Sequence, residues 1–262
     1  MSSAFAALLG GLLLWAGDDA PPPTAQEQSI ILDKAREIAL QYTATLPNFI
    51  CTETVRRYGG KNGRDDWQPR DTLVIDLAYS EKGERYRLLS IDGKPTTRSF
   101  GKVGGFTSNG EFGTLLAWIF RAKSATEFHW DRWSVLRGRP AHVFTYRIPQ
   151  NHSEYQVNLR GAFFKRYHLV AAFSGLIFVD GETSQVMRIT HAAEAIPADF
   201  PVAGTPASLD YGFAEIGGRT FLLPLQAELV VLMRDGSRNR NLIEFGNYRK
   251  FSSETTLTFE KQ

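Results

Sequence analysis

The chain has 262 residues, with 30 Lys plus Arg against 28 Asp plus Glu, and 43% of it is hydrophobic. That apolar fraction excludes a disordered chain. A single cysteine excludes an intrachain disulfide framework and a multi-thiolate metal cluster, and a formal charge of +2 leaves no electrostatic footprint for nucleic acid.

The first feature in chain order is the apolar run Ala4 to Gly17. It is too short for a bilayer span, which needs about 20 residues, and it has the length of a signal-peptide core. No Lys or Arg precedes it, and no A-x-A site separates it from Pro21-Pro22-Pro23. Cys51 lies too far beyond it to be a lipidation cysteine. Residues 1–23 are therefore expected to be an atypical export signal with a linker, and the protein to be periplasmic or otherwise exported. The alternative is a short packed helix or an interfacial anchor. Residues 24–262 are expected to form a single domain.

Thr24-Ala25-Gln26-Glu27 has capping-box spacing, and Ile31, Ala35, Ile38, Ala39 and Tyr42 recur at helical spacing up to the stop at Pro47. From Phe49 the period becomes two: Phe49, Cys51, Glu53 and Val55 share one face of a strand. Thr72 to Tyr79 and Arg85 to Ile91 read as further strands, and Asp92-Gly93 as a tight turn. A second helix is predicted over Glu111 to Arg121 behind a capping box at Ser108 to Glu111. Its stripe is Phe112, Leu115, Leu116, Ile119 and Phe120, with Trp118 off centre.

Strands then follow almost to the end: Glu127 to Leu136, Ala141 to Ile148, Tyr155 to Leu159, and Phe163 to Val179 with a break near Gly175. Gln185 to Ala193 comes next, then an irregular crossing through Pro197, Pro201 and Pro206. Leu209 to Ile216 and Arg219 to Leu223 flank the Gly217-Gly218 turn. Pro224 marks a bulge or an edge. Ala227 to Met233, Asn241 to Phe251 and Thr256 to Phe259 complete eleven or twelve strands. Strands joined by tight turns are mostly antiparallel. The expected fold is mainly β: a large curved antiparallel sheet, an incomplete β-barrel, with one N-terminal and one inserted helix packed on its concave face.

The run Gly175-Leu-Ile-Phe-Val-Asp180-Gly-Glu-Thr-Ser-Gln-Val-Met-Arg-Ile189 resembles a strand, acidic turn and returning strand of the bacterial lipoprotein-carrier superfamily. That group contains the outer-membrane lipoprotein carrier, its receptor and a related sigma-factor regulator. The order of elements is similar over about Gln26 to Phe259. The resemblance implies an unclosed barrel, plugged by helices, whose concave side holds acyl chains.

Catalytic signals are sparse. Glu127 with His129 and His152 with Glu154 are i,i+2 pairs from which a zinc site could be assembled, and solvated side chains are the bland reading. No G-x-S-x-G elbow occurs; Ser174-Gly175 lies in an apolar strand, which leaves only a dispersed Ser/His/Asp site. Cys51 reads as a small buried hydrophobe. Gly101 to Gly105 lacks dinucleotide-loop order. Arg234, Arg238, Arg240, Arg249 and Lys250 could meet anionic lipid headgroups or a nucleic-acid backbone, with ordinary surface charge as the bland reading. The aromatics interleaved with charge at Phe163 to His168 would suit a single-strand-binding face or a curved sheet with aromatics inward and charges outward.

The expectation is a non-enzymatic cell-envelope protein that binds a lipid or acyl chain, with no cofactor, no metal and no nucleic-acid partner. Its ligand-cavity candidates are Phe112, Leu115, Leu116, Ile119, Phe120, Phe173, Phe178, Tyr211 and Phe213. A lipid or acylated protein and an envelope protein are the partner classes; the oligomeric state is left open. A protein-interaction or sensor module on the same fold and a hydrolase with a dispersed Ser/His site are the alternatives.

Overall fold

Residues 21–61, 66–80, 83–100, 103–104, 106, 111–160 and 166–251 are described in the computed structural model of the protein. The apolar run Ala4 to Gly17, the cap residues Ser108 to Gly110, Phe163 and the strand expected at Thr256 to Phe259 lie outside them.

Helix α1 spans Ala25–Thr45 behind the expected capping box. The Thr24 amide donates to Glu27 Oε2 at 2.7 Å and the Glu27 amide to Thr24 Oγ1 at 3.3 Å. Ala35, Ala39 and Tyr42 are its buried stripe. Leu46 is extended, as a residue before proline must be.

Strands β1 (Phe49–Lys61), β2 (Gln68–Ser80), β3 (Gly83–Ile91) and β4 (Lys94–Pro95) form the first meander. Helix α2 (Thr114–Phe120) is inserted before β5 (Glu127–Leu136) and β6 (Arg139–Ile148). There follow β7 (Gln156–Arg160), β8 (Arg166–Val170), β9 (Ala172–Asp180), β10 (Val186–Glu194) and β11 (Val202–Gly204). The last are β12 (Ala207–Ile216), β13 (Arg219–Met233) and β14 (Ser237–Lys250). One 12-stranded sheet runs β4-β3-β2-β1-β14-β13-β12-β10-β9-β6-β5, with β11 beside β13, and β7 and β8 form a separate hairpin. Every pairing is antiparallel. Strands β4 and β5 end the path and do not meet, so the sheet is an unclosed barrel, as expected.

Four details differ from the sequence reading. Helix α2 is shorter than Glu111 to Arg121. Gly113 has φ 111°, and a Cβ there would lie 2.5 Å from Thr43 Cγ2, so close approach of α1 turns residues 111–113 out of the helix. The break expected near Gly175 lies at Ala171 instead, between β8 and β9. Gly175 sits mid-strand because a Cβ would fall 1.9 Å from the Thr190 carbonyl oxygen; glycine here permits close packing rather than a turn. One strand, β13, spans the two expected on either side of Pro224; the proline faces Tyr211 where the register slips, and the bulge expected there absorbs the missing N–H. Short strands β4, β8 and β11 bring the described total to fourteen.

Register separates the two faces. Ile91, Leu73, Val55, Ile243, Ala227, Leu209, Ile189, Ile177, Phe144 and Trp130 follow one another across ten strands. This concave row belongs to the main core, which α1 and α2 complete. A second core under the β7–β8 hairpin gathers Val157, Phe200, Val202, Leu229 and Val231. The opposite face is laced with ion pairs: Arg87–Asp76 at 2.6 Å, Arg56–Glu244 at 2.7 Å, Arg240–Glu228 at 2.6 Å and Arg188–Asp210.

Candidate functional site

Five of the candidate residues belong to α2 and the turn before it. Phe112, Leu115, Leu116, Ile119 and Phe120 are all 6% exposed or less. The Phe112 ring packs against Phe49 at 5.3 Å, Phe245 at 5.7 Å and Tyr79 at 5.9 Å. At the other end Phe120 stacks on Phe128 at 5.5 Å. The helix thus reaches from the β1–β2–β14 region across the concavity to the edge strand β5. Tyr211 lies edge-on to Tyr42 at 5.9 Å and donates to the Glu111 carbonyl at 2.9 Å; Tyr42 donates to the Leu222 carbonyl at 2.9 Å. Phe173 is fully buried between Tyr146 and Tyr155.

Phe178 and Phe213 are placed differently. Phe178 is opposite Val143 and Arg188, on the other side of the sheet from Ile177, and its ring lies under the Arg132 and Arg188 guanidiniums at 5.8 and 5.7 Å. Phe213 is 47% exposed beneath Arg139. Strand β9 pairs with β6 without a shift from Phe173 to Asp180, so plain alternation already puts Phe178 on the face opposite Phe173 and Ile177. Phe213 keeps the parity of Leu209 and Tyr211, and it is packing between distant segments that leaves it uncovered.

The concave side also holds carboxyl groups. Glu53, on the Phe49–Cys51–Val55 face of β1, is 7% exposed, and its Oε2 is buried with no hydrogen-bond partner. Burial, with the nearby charges of Glu111 and Glu84, pushes its pKa up to about 8. Burial and Glu111 also raise Glu84, to about 7, although the Tyr86 hydroxyl donates to its Oε2 at 2.5 Å. Glu111 is itself 7% exposed. This group was not singled out from the sequence. Its signal was there: a glutamate occupying an inward position of an apolar alternation.

A groove of about 440 Å³ opens where β10 and β12 diverge, lined by Ser174, Gly175, Thr190, Ala192, Pro206, Ser208, Glu228 and Val230 among others. Register joins β10 to β12 over only Arg188 to His191, so the sheet parts beyond that point. The alternation puts Ser174, Ala192, Ser208 and Glu228 on the convex face.

The remaining polar candidates are dispersed. His152 Nδ1 meets the Lys123 carbonyl at 2.8 Å, and His168 Nδ1 meets Asn158 Oδ1 at 2.7 Å. His142 packs on Trp133, and His191 on Tyr155 and Phe173, where burial pushes it down to about 4. Glu154 pairs with Arg121 and Lys123. Among the described residues no group of three His, Cys, Asp or Glu side chains is disposed to hold a metal ion. Four of the five C-terminal basic residues are engaged: Arg234 with the Phe200, Ile196 and Pro197 carbonyls, Arg238 and Arg240 over Trp67, and Arg249 with Asp76. Among the described residues no helix is long and apolar enough to cross a membrane.

No family model and no curated protein matches the sequence. Three solved structures are similar over most of their length. A DUF1329 family protein from Desulfovibrio piger is 10% identical, with TM-score 0.38, over 86% of this chain and 95% of that one. A putative outer membrane lipoprotein-sorting protein domain from Vibrio parahaemolyticus is 9% identical, with TM-score 0.37, over 86% and 95%. The complex of Pseudomonas aeruginosa MucA and MucB gives 12% identity and TM-score 0.24, over 84% and 94%.

Proposed function

We propose that residues 24–262 form a non-enzymatic cell-envelope protein, exported under the direction of residues 1–23, that takes up an acyl chain or similar apolar ligand between α2 and the concave face. The observation that carries the reading is α2 itself: a seven-residue helix laid across the apolar side of an unclosed sheet. A helix so short has no stability of its own. Burial of Leu115, Leu116, Ile119 and Phe120 holds it, at about 1.5–3 kcal/mol for each side chain. An entering acyl chain covers the concave face with apolar surface of the same kind, which offsets part of the burial that the displaced helix gives up. The partner is a lipid or an acylated protein, and no cofactor is needed.

Native mass spectrometry after mild extraction tests this: a co-purifying lipid is expected. A protein that stays empty when presented with lipid micelles overturns the reading. Leu116→Arg, which puts a charge on the stripe, is expected to abolish uptake in a folded protein. The β10–β12 groove favours a second reading, a protein-interaction or sensor module using the convex face, for which binding of an envelope protein without lipid would be the outcome.

A further inference from the structure

Strand β5 ends the path of the sheet, and among the described strands it pairs with β6 alone. Its outer edge is open to a further extended segment. Trp130 and Trp133 are three residues apart on this strand, a spacing that regular alternation puts on opposite faces. A change of register between Trp130 and Arg132 inserts one extra residue, so that Trp130 stands opposite Phe144 and Trp133 opposite His142. The bulge thereby brings both tryptophans to the concave side. Their rings meet at 4.9 Å; Trp133 lies 4.9 Å from His142, and Trp130 5.4 Å from Phe144. Both tryptophans remain partly exposed.

The chain itself shows what this face accepts. The Trp133 indole N–H donates to the Pro21 carbonyl at 3.1 Å, across 112 residues of sequence. Two residues further on, Pro23 is buried, and its carbonyl accepts from the Gln28 side-chain amide at 2.7 Å. Each proline fixes its own φ and keeps the residue before it extended, so Pro21-Pro22-Pro23 is preset as a polyproline II segment. Thr24, at φ −59° and ψ 158°, continues that conformation up to α1. A run of prolines has no N–H to offer and presents only carbonyls on an apolar ribbon. Its site must therefore set donors among apolar rings. The indole of tryptophan is a donor and not an acceptor, and Trp130 brings a second indole N–H to the cluster.

We propose that the Trp130–Trp133 face of β5 is a binding site for a proline-rich segment of a partner protein, and that Pro21–Pro23 is a strap filling it in cis. The site shares no residue with the β10–β12 groove, and it does not depend on uptake of a ligand under α2. The strap is tethered beside α1, so its effective concentration at Trp133 is of about millimolar order. It lowers the apparent affinity for a partner by the fraction of time that it leaves the site open. A longer proline-rich segment competes by engaging both tryptophans and the edge of β5, a mode in which a preformed helix loses little entropy on binding.

Indole proton–nitrogen correlation spectra of the full chain test this. They give one resonance for each of the five tryptophans, and Trp133→Phe assigns that of Trp133. The probe is a proline decamer, with a Gly-Ser peptide of equal length as control. Pro21→Gly with Pro22→Gly alters two exposed residues and loosens the strap. In this variant the decamer is expected to shift the Trp133 resonance at a concentration about tenfold or more below that needed in the parent chain. Trp133→Phe, which keeps a ring and removes the donor, is expected to weaken binding in the loosened chain about fivefold to tenfold, read from the Trp130 resonance. The Trp118 resonance on α2 reports that each variant keeps its fold. A loosened chain that binds the decamer no more tightly than the parent, equal shifts with the Gly-Ser peptide, or binding indifferent to Trp133→Phe would each overturn the site. A Trp133 resonance that answers to lipid micelles and not to the decamer assigns this face to lipid and overturns it too.

Discussion

The phenol of Tyr211 donates to the main-chain carbonyl of Glu111 at 2.9 Å, across 100 residues of sequence. This bond ties the middle of β12 to the turn that starts α2. It also spares the Glu111 carbonyl from being buried without a donor.

Tyr211→Phe keeps the ring against Tyr42 and removes only that donor. It is expected to destabilise the protein by about 1–2 kcal/mol. Urea unfolding should show a lower midpoint with an unchanged m value, and exchange of the α2 amides should quicken more than that of the sheet.

Gly175 is a site of close approach, with the Thr190 carbonyl oxygen 1.9 Å from where a Cβ would lie. The same carbonyl accepts from the Tyr146 hydroxyl at 3.0 Å. Gly175→Ala is expected to push β9 from β10 and cost more than about 3 kcal/mol, since the colliding atom is backbone and cannot swing aside. Tyr146→Phe loses only the hydroxyl bond and should cost about 1 kcal/mol. Thermal unfolding of the pair checks the order; an alanine variant as stable as the parent would refute the close packing.

Asp180 opposes acid unfolding. Burial alone would raise its carboxyl, but Arg139 and the Thr183 amide and hydroxyl donate to it, and together they hold it at about 2. A carboxyl lowered from 3.8 contributes its full stabilisation above about pH 4 and loses it as the pH falls toward 2. With Arg139 a third exposed, solvent screening leaves about 1–2 kcal/mol. Asp180→Asn is expected to lower stability at pH 6 by that order and to flatten its fall between pH 4 and 2, measured by denaturant titration at each pH.

Cys51 is fully buried, and burial, followed by the charge of Glu53, raises its thiol well above the ordinary value. It is expected to react with a disulfide reagent at pH 7 at least about a hundredfold more slowly in the native protein than in urea. Rapid labelling of the native chain would contradict its placement.

Much of the fold was legible because it is local. The Thr24–Glu27 cap, the period-two alternation from Phe49, the Gly217-Gly218 hairpin and the bulge at Pro224 are each set by neighbours in sequence. Even the apolar stripe of α2 was visible, although its first turn was not, because Gly113 leaves the helix only through the approach of α1.

The sequence by itself determined strands with one apolar face, two covering helices and the absence of an obvious catalytic motif, since side-chain period and turn chemistry are properties of a few consecutive residues. Tertiary structure alone decided that Phe178 lies under two guanidiniums and Phe213 at the surface, that β10 and β12 part to leave a groove, and that Glu53, Glu84 and Glu111 share one interior. Those outcomes depend on packing between segments up to 100 residues or more apart. Which neighbours cover a side chain is settled between strands distant in sequence, and no local pattern records it.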